Sequence, residues 1–103
     1  MKPAKKLLWW LLAGTSGGLS RGKIIEQLST RPMNAHELAE AVGLDYKTVR
    51  HHLTVLQKNR LVTTMGSGYG TMYFPSELME ENRDVFLQIW HQIGKKHKKE
   101  EGQ

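Results

Sequence analysis

Residues 45–60 hold four cationic side chains, Lys47, Arg50, Lys58 and Arg60, against one carboxylate, Asp45. Wound as a helix that buries Val49, Leu53 and Leu56, the segment turns Lys47, His51, Thr54 and Lys58 to the opposite side. Thr48 and Arg50 flank that face. These side-chain types suit an anionic duplex. A planar guanidinium at Arg50 can give two hydrogen bonds to a guanine edge, and His51 and Thr48 can reach a base edge or a phosphate. Lys47 and Lys58 suit phosphates, as do Arg21 and Lys23 upstream. Tyr46 can pack in the core or bond to the duplex backbone. The plainer alternative is an ordinary solvated helix face. The whole chain carries a net charge of +5, a surplus that favours an anionic partner.

Other chemistries find little support. With no cysteine among 103 residues, disulfides, thiolate metal sites and cysteine nucleophiles are excluded. His51 and His52 are neighbours and point about 100° apart on a helix, so they cannot share a metal locally. His91, His97 and Glu100 read as exposed groups on a basic tail rather than as ligands. Serines and aspartates occur only where caps and turns need them. No catalytic site, metal or cofactor is expected.

The elements that must present the basic face can be read in order. Leu7–Leu12 is an apolar run stopped by Gly14–Gly18. Ser20 is a suitable N-cap for a helix carrying Ile24, Ile25 and Leu28, with Leu19 stapling onto Ile24 and Pro32 bounding its end. Asn34 and Glu37 have capping-box spacing ahead of Leu38, Ala39 and Val42, and Gly43 closes that short helix. Asp45 caps the next one, which runs to about Asn59. Arg60 follows where a glycine would ease the exit, so Asn59 or Arg60 must make that turn at some conformational cost. Leu61–Met65 and Thr71–Phe74, around Gly66–Gly70, predict a β-hairpin. Pro75-Ser76 opens a last long helix bearing Val85, Phe86, Ile89, Trp90 and Ile93.

Two short helices with a glycine turn, then a hairpin, spell a mainly α winged helix-turn-helix. Ala39, Gly43 and Val49 follow the pattern A-x3-G-x5-V: a small residue at the helix crossing, glycine in the turn, an anchor on the second helix. LDYKTVRHHLTVLQKNRLV, residues 44–62, resembles the recognition helix and following strand of ArsR-like regulators, with Thr48–Leu56 the most telling part. KLLWWLLAGTSGG and GSGYGTMYF resemble small archaeal members of that group. The resemblance implies a homodimeric transcription regulator that binds double-stranded DNA. The family's cysteine metal-sensing motif is absent. The wing loop, 66–70, has no lysine or arginine, which weakens any minor-groove clamp; Ser67 and Tyr69 are its candidate DNA contacts, although Tyr69 can equally pack on the hairpin.

Six large apolar residues in a row, Leu7–Leu12, cover every side of a helix and need cover on more than one face. Behind a basic start they resemble a signal peptide, but a DNA-binding domain downstream gives no reason for export. Spanning a membrane takes roughly 20 apolar residues, so this run is too short. It is expected to pack with the last helix, within the protomer and across a two-fold axis, through Leu8, Trp9, Leu12, Val85, Phe86, Ile89, Trp90 and Ile93. The organisation expected is a dimerisation segment at 1–19, the DNA-binding domain at 20–75, a dimerisation helix at 76–96 and a polar tail at 97–103. A cytoplasmic protein with no membrane partner and no evident small-molecule ligand follows. The competing reading is a winged-helix module that holds a protein partner in a transcription assembly.

Overall fold

The computed structural model describes the backbone of residues 2–101 and the side chains of residues 2–94; the side chains of His97 and Glu100 lie outside that range. Helix α1 spans Pro3–Trp9, with proline in its first turn, where a missing amide donor costs nothing. It continues as a π-helical turn over Trp10–Gly14. Helix α2, Gly18–Leu28, starts two residues before the expected cap at Ser20; Gly17 occupies the cap position, with φ 83°. The cause is a close approach. A β-carbon on residue 18 would stand 2.0 Å from the Leu12 carbonyl oxygen, so only glycine lets α2 begin against the end of the preceding segment.

A short strand missing from the sequence reading, β1 (Met33–Asn34), comes next. Asn34 then caps α3 (Ala35–Val42): its side chain accepts from the Glu37 amide, and the Glu37 carboxylate accepts from the Asn34 amide. Gly43 ends α3 at φ 71°. Asp45 caps α4 (Tyr46–Lys58). Arg60 makes the exit at φ 62°, a left-handed conformation that costs a side-chain-bearing residue about 1 kcal/mol. Ser76 holds the turn, donating its hydroxyl to the Arg60 carbonyl at 2.6 Å and its amide to Leu61 at 3.0 Å.

The hairpin consists of β2 (Val62–Met65) and β3 (Met72–Pro75), joined through a 3-10 turn at Gly68–Gly70. All pairing is antiparallel in the order β1-β3-β2, with Met33 opposite Tyr73 and Thr64 also opposite Tyr73. The expected single terminal helix is two: α5 (Glu77–Glu81) and α6 (Arg83–Glu101). Asn82 makes the break. Its side-chain amide donates to the Leu78 carbonyl at 2.9 Å, while its own carbonyl receives the Phe86 amide at 3.0 Å. An asparagine that bonds back to the preceding turn competes with the helix ladder and lets a new helix start beside it.

The core joins every layer. Leu8, Leu11 and Leu12 are buried together with Ile24, Ile25, Leu28, Val49, Leu53, Leu56, Phe86 and Ile89. Each buried leucine adds about 2 kcal/mol of apolar stabilisation. Three leucines of the opening apolar run are therefore part of the protomer's own core. Among the described residues, no helix is long and apolar enough to cross a membrane.

Candidate nucleic-acid interface

Helix α4 divides by burial as its sequence pattern requires. Val49, His52, Leu53 and Leu56 are buried, while Lys47, Arg50, His51, Thr54 and Lys58 are exposed. The two ion pairs among the described residues, Arg31–Glu37 and Arg83–Glu80, involve no cation of this face. α4 thus offers a continuous strip of positive and donor groups, held from behind by α2 and α3.

Two members of the expected set have their donor atoms in use. The Thr48 hydroxyl donates to Asp45 Oδ1 at 2.6 Å, and the Thr54 hydroxyl donates to the Arg50 carbonyl at 2.9 Å. A phosphate only accepts hydrogen bonds, so these threonines are better placed to accept from a base amino group or to present a methyl. The Thr48 hydroxyl and amide hold the Asp45 carboxyl below its ordinary range.

The upstream cations separate. Lys23 is exposed. Arg21 is not available to a duplex, contrary to the sequence expectation: it is buried, donates from Nε to the Leu11 carbonyl at 2.9 Å, and donates from Nη2 to Ser16 and Thr15. The reason lies in the α1–α2 connection, where the Leu11 and Ser16 carbonyls need a donor and Arg21, one turn into α2, reaches both. Beside it lies His52, buried, with Nδ1 unbonded among the described residues and its pKa lowered, chiefly by burial and then by the Arg21 charge.

The dimer set divides in a similar way. Leu8, Leu12, Phe86 and Ile89 are sealed inside the protomer and cannot also cover a partner. Val85, Trp90 and Ile93 are half-buried. Trp9 is 45% exposed and two residues not in that set are more so, Trp10 at 60% and Leu87 at 54%. The reading of Leu7–Leu12 as apolar on every side could not distinguish the leucines that face the core from the tryptophans that face out.

Wing residues Ser67 and Tyr69 are exposed. Tyr69 does not rest on the hairpin alone. Its ring centroid is 5.8 Å from His36 and 6.3 Å from Tyr46, and His36 itself stacks on Tyr46 at 4.2 Å. His36 escaped the sequence reading because it is one exposed polar residue in the first turn of α3; only the third strand brings it near the wing. Among the described residues, no three histidine or acidic side chains gather as metal ligands, and His91 is exposed on α6.

Residues 20–64 match the family model described as bacterial regulatory protein, arsR family. No curated protein matches the chain. Among solved structures it is similar to the AntR antimony-specific transcriptional repressor (TM-score 0.65, 19% identity, covering 95% of this chain and 80% of that one). It is likewise similar to Staphylococcus aureus MarR in complex with salicylate and kanamycin (0.67, 16%, covering 95% and 68%). Diamide-treated YodB from B. subtilis gives 0.67 at 20% identity, covering 92% and 94%. At these identities the structural likeness concerns the fold.

Proposed function

We propose that this chain, whose residues 20–64 match the arsR-family model and whose fold is that of winged helix-turn-helix proteins, is a DNA-binding regulator of transcription that binds a pseudo-palindromic site as a homodimer, with α4 in the major groove. The observation that carries this reading is the exposed strip on α4, unpaired with any described carboxylate and backed by a buried core. Arg50 and His51 read base edges; Lys47, Lys58 and Lys23 hold phosphates. The exposed Trp9, Trp10 and Leu87, together with the half-buried Trp90 and Ile93 of α6, support a two-fold contact through the N-terminal segment and α6. Such a two-fold sets recognition helices about 34 Å apart, on successive major grooves.

The test is binding to duplexes selected by the chain from a random-sequence pool, measured at two salt concentrations. A regulator gives tight binding with a steep salt slope. Arg50→Ala together with His51→Ala removes preference for the selected site, whereas Lys58→Ala weakens all duplexes alike. Weak binding without a salt slope would favour a protein-holding module instead.

A further inference from the structure

We infer that His36 is a positioning residue for the wing, and that His36, Tyr46 and Tyr69 form an aromatic clasp which sets the wing's place on a duplex. The inference deepens the DNA-binding reading and rests on it. Three separate elements supply the rings. His36 stands in the first turn of α3, fixed by the Asn34–Glu37 capping box. Tyr46 is the first residue of α4, and Tyr69 lies at the centre of the 3-10 turn in the wing. Strand pairing makes the meeting possible: Asn34 lies opposite Met72, so the start of α3 is bonded to the strand that leaves the wing.

The geometry is that of attraction between rings. His36 and Tyr46 lie nearly parallel, 17° apart, while Tyr69 is tilted by 35° and 40° to the two rings at separations usual for aromatic pairs. Tyr69 remains 78% exposed, so the clasp touches one part of its ring and leaves most of it free for sugar or phosphate. A wing without lysine or arginine at 66–70 has no charge to steer it. Holding its tip against the first turn of the recognition helix offsets that lack, because the ordering is done before the duplex arrives.

The test uses a duplex selected by the unaltered chain from a random-sequence pool. His36→Ala and Tyr69→Ala are each expected to weaken binding about fivefold, the scale of one or two aromatic contacts. The double variant should lose little more than either single one. Hydroxyl-radical protection should vanish at the wing-side flanks and persist at the centre. His36→Phe, which keeps a ring, should restore both readouts. In the free protein, the ring-proton NMR shifts of Tyr69 should move in His36→Ala and hold in His36→Phe. Additive losses, flank protection that survives His36→Ala, or failure of the phenylalanine variant to restore it would overturn the inference while leaving DNA binding intact. If the unaltered chain selects no duplex, the DNA-binding reading itself fails and the inference with it.

Discussion

Trp90 of α6 lies over the bare α-carbon of Gly22 on α2, so close that a β-carbon there would stand 2.2 Å from the indole ring. The same indole stacks on Phe86 and donates from Nε1 to the Glu26 carboxylate at 3.0 Å. Glycine at 22 is thus the slot that lets the terminal helix close on the winged helix-turn-helix unit. Its helix-propensity cost is accepted for contact.

Gly22→Ala is expected to lower stability despite alanine's better helix propensity. Overpacking costs about 1–3 kcal/mol and the propensity gain is about 1, so a net loss of about 1 kcal/mol remains. Gly94, also helical, has nothing among the described residues within 4 Å of a built β-carbon; Gly94→Ala should gain about 0.5 kcal/mol. Urea denaturation of the two variants should move in opposite directions. Equal gains would show that Trp90 yields freely.

Arg21 provides the second contrast. Arg21→Ala removes the donor for the Leu11 and Ser16 carbonyls and should cost about 2 kcal/mol, the scale of leaving one buried acceptor, the Leu11 carbonyl, unmet. Lys23→Ala should leave the melting temperature unchanged and reduce the salt slope of DNA binding by about one. Were Arg21→Ala to keep full stability and lose salt dependence, Arg21 would belong to the DNA surface after all.

These residues show what the sequence could disclose. Caps at Asn34 and Asp45, the Gly43 turn and the buried-versus-exposed division of α4 are local matters, governed by spacing within a turn or two, and they were legible. The costly exit near Arg60 was legible too, because a missing glycine is visible in the sequence. What escaped depends on contacts between distant segments. β1 exists only because Met33 and Asn34 meet a strand some 40 residues later. Arg21 looks like any helix-surface cation until the N-terminal carbonyls fold over it. Ser20 looks like a cap until Gly18 is found against Leu12. The break at Asn82 was hidden by apolar residues that continue on both sides of it.

His52 gives stability a dependence on acidity. Its pKa in the folded chain lies below the ordinary 6.5, through burial first and then the charges of Arg21 and His51. The unfolded chain therefore takes up the proton more readily, and the folded state keeps its full advantage only above about pH 6.5. Stability should fall as pH drops from 7.5 to 5.5. The capped carboxyls of Glu37 and Asp45 are also lowered, the first mainly by the Asn34 amide and the second by the Thr48 hydroxyl. Their contributions are lost only at more acidic values, below their ordinary 4.5 and 3.8, so they leave this window to His52. His52→Leu should flatten the denaturation midpoint across it. A slope that persists in that variant would assign the effect to another group.

The last expectation concerns association, and the structure changes which tryptophan should be altered. Trp90→Lys would break the Gly22 contact, the Phe86 stack and the Glu26 bond, so it tests folding more than pairing. Trp9 and Trp10 expose 45% and 60% of their surface, and a lysine at either position can reach water without emptying the core. If the N-terminal segments meet across a two-fold axis, Trp9→Lys/Trp10→Lys should sediment as a folded monomer, with an unchanged far-ultraviolet circular dichroism spectrum. DNA affinity should then fall by at least 100-fold, on the order expected when two linked half-sites are read singly. A variant that stays dimeric would move the interface to α6 alone, where Leu87 is the exposed apolar residue to alter next.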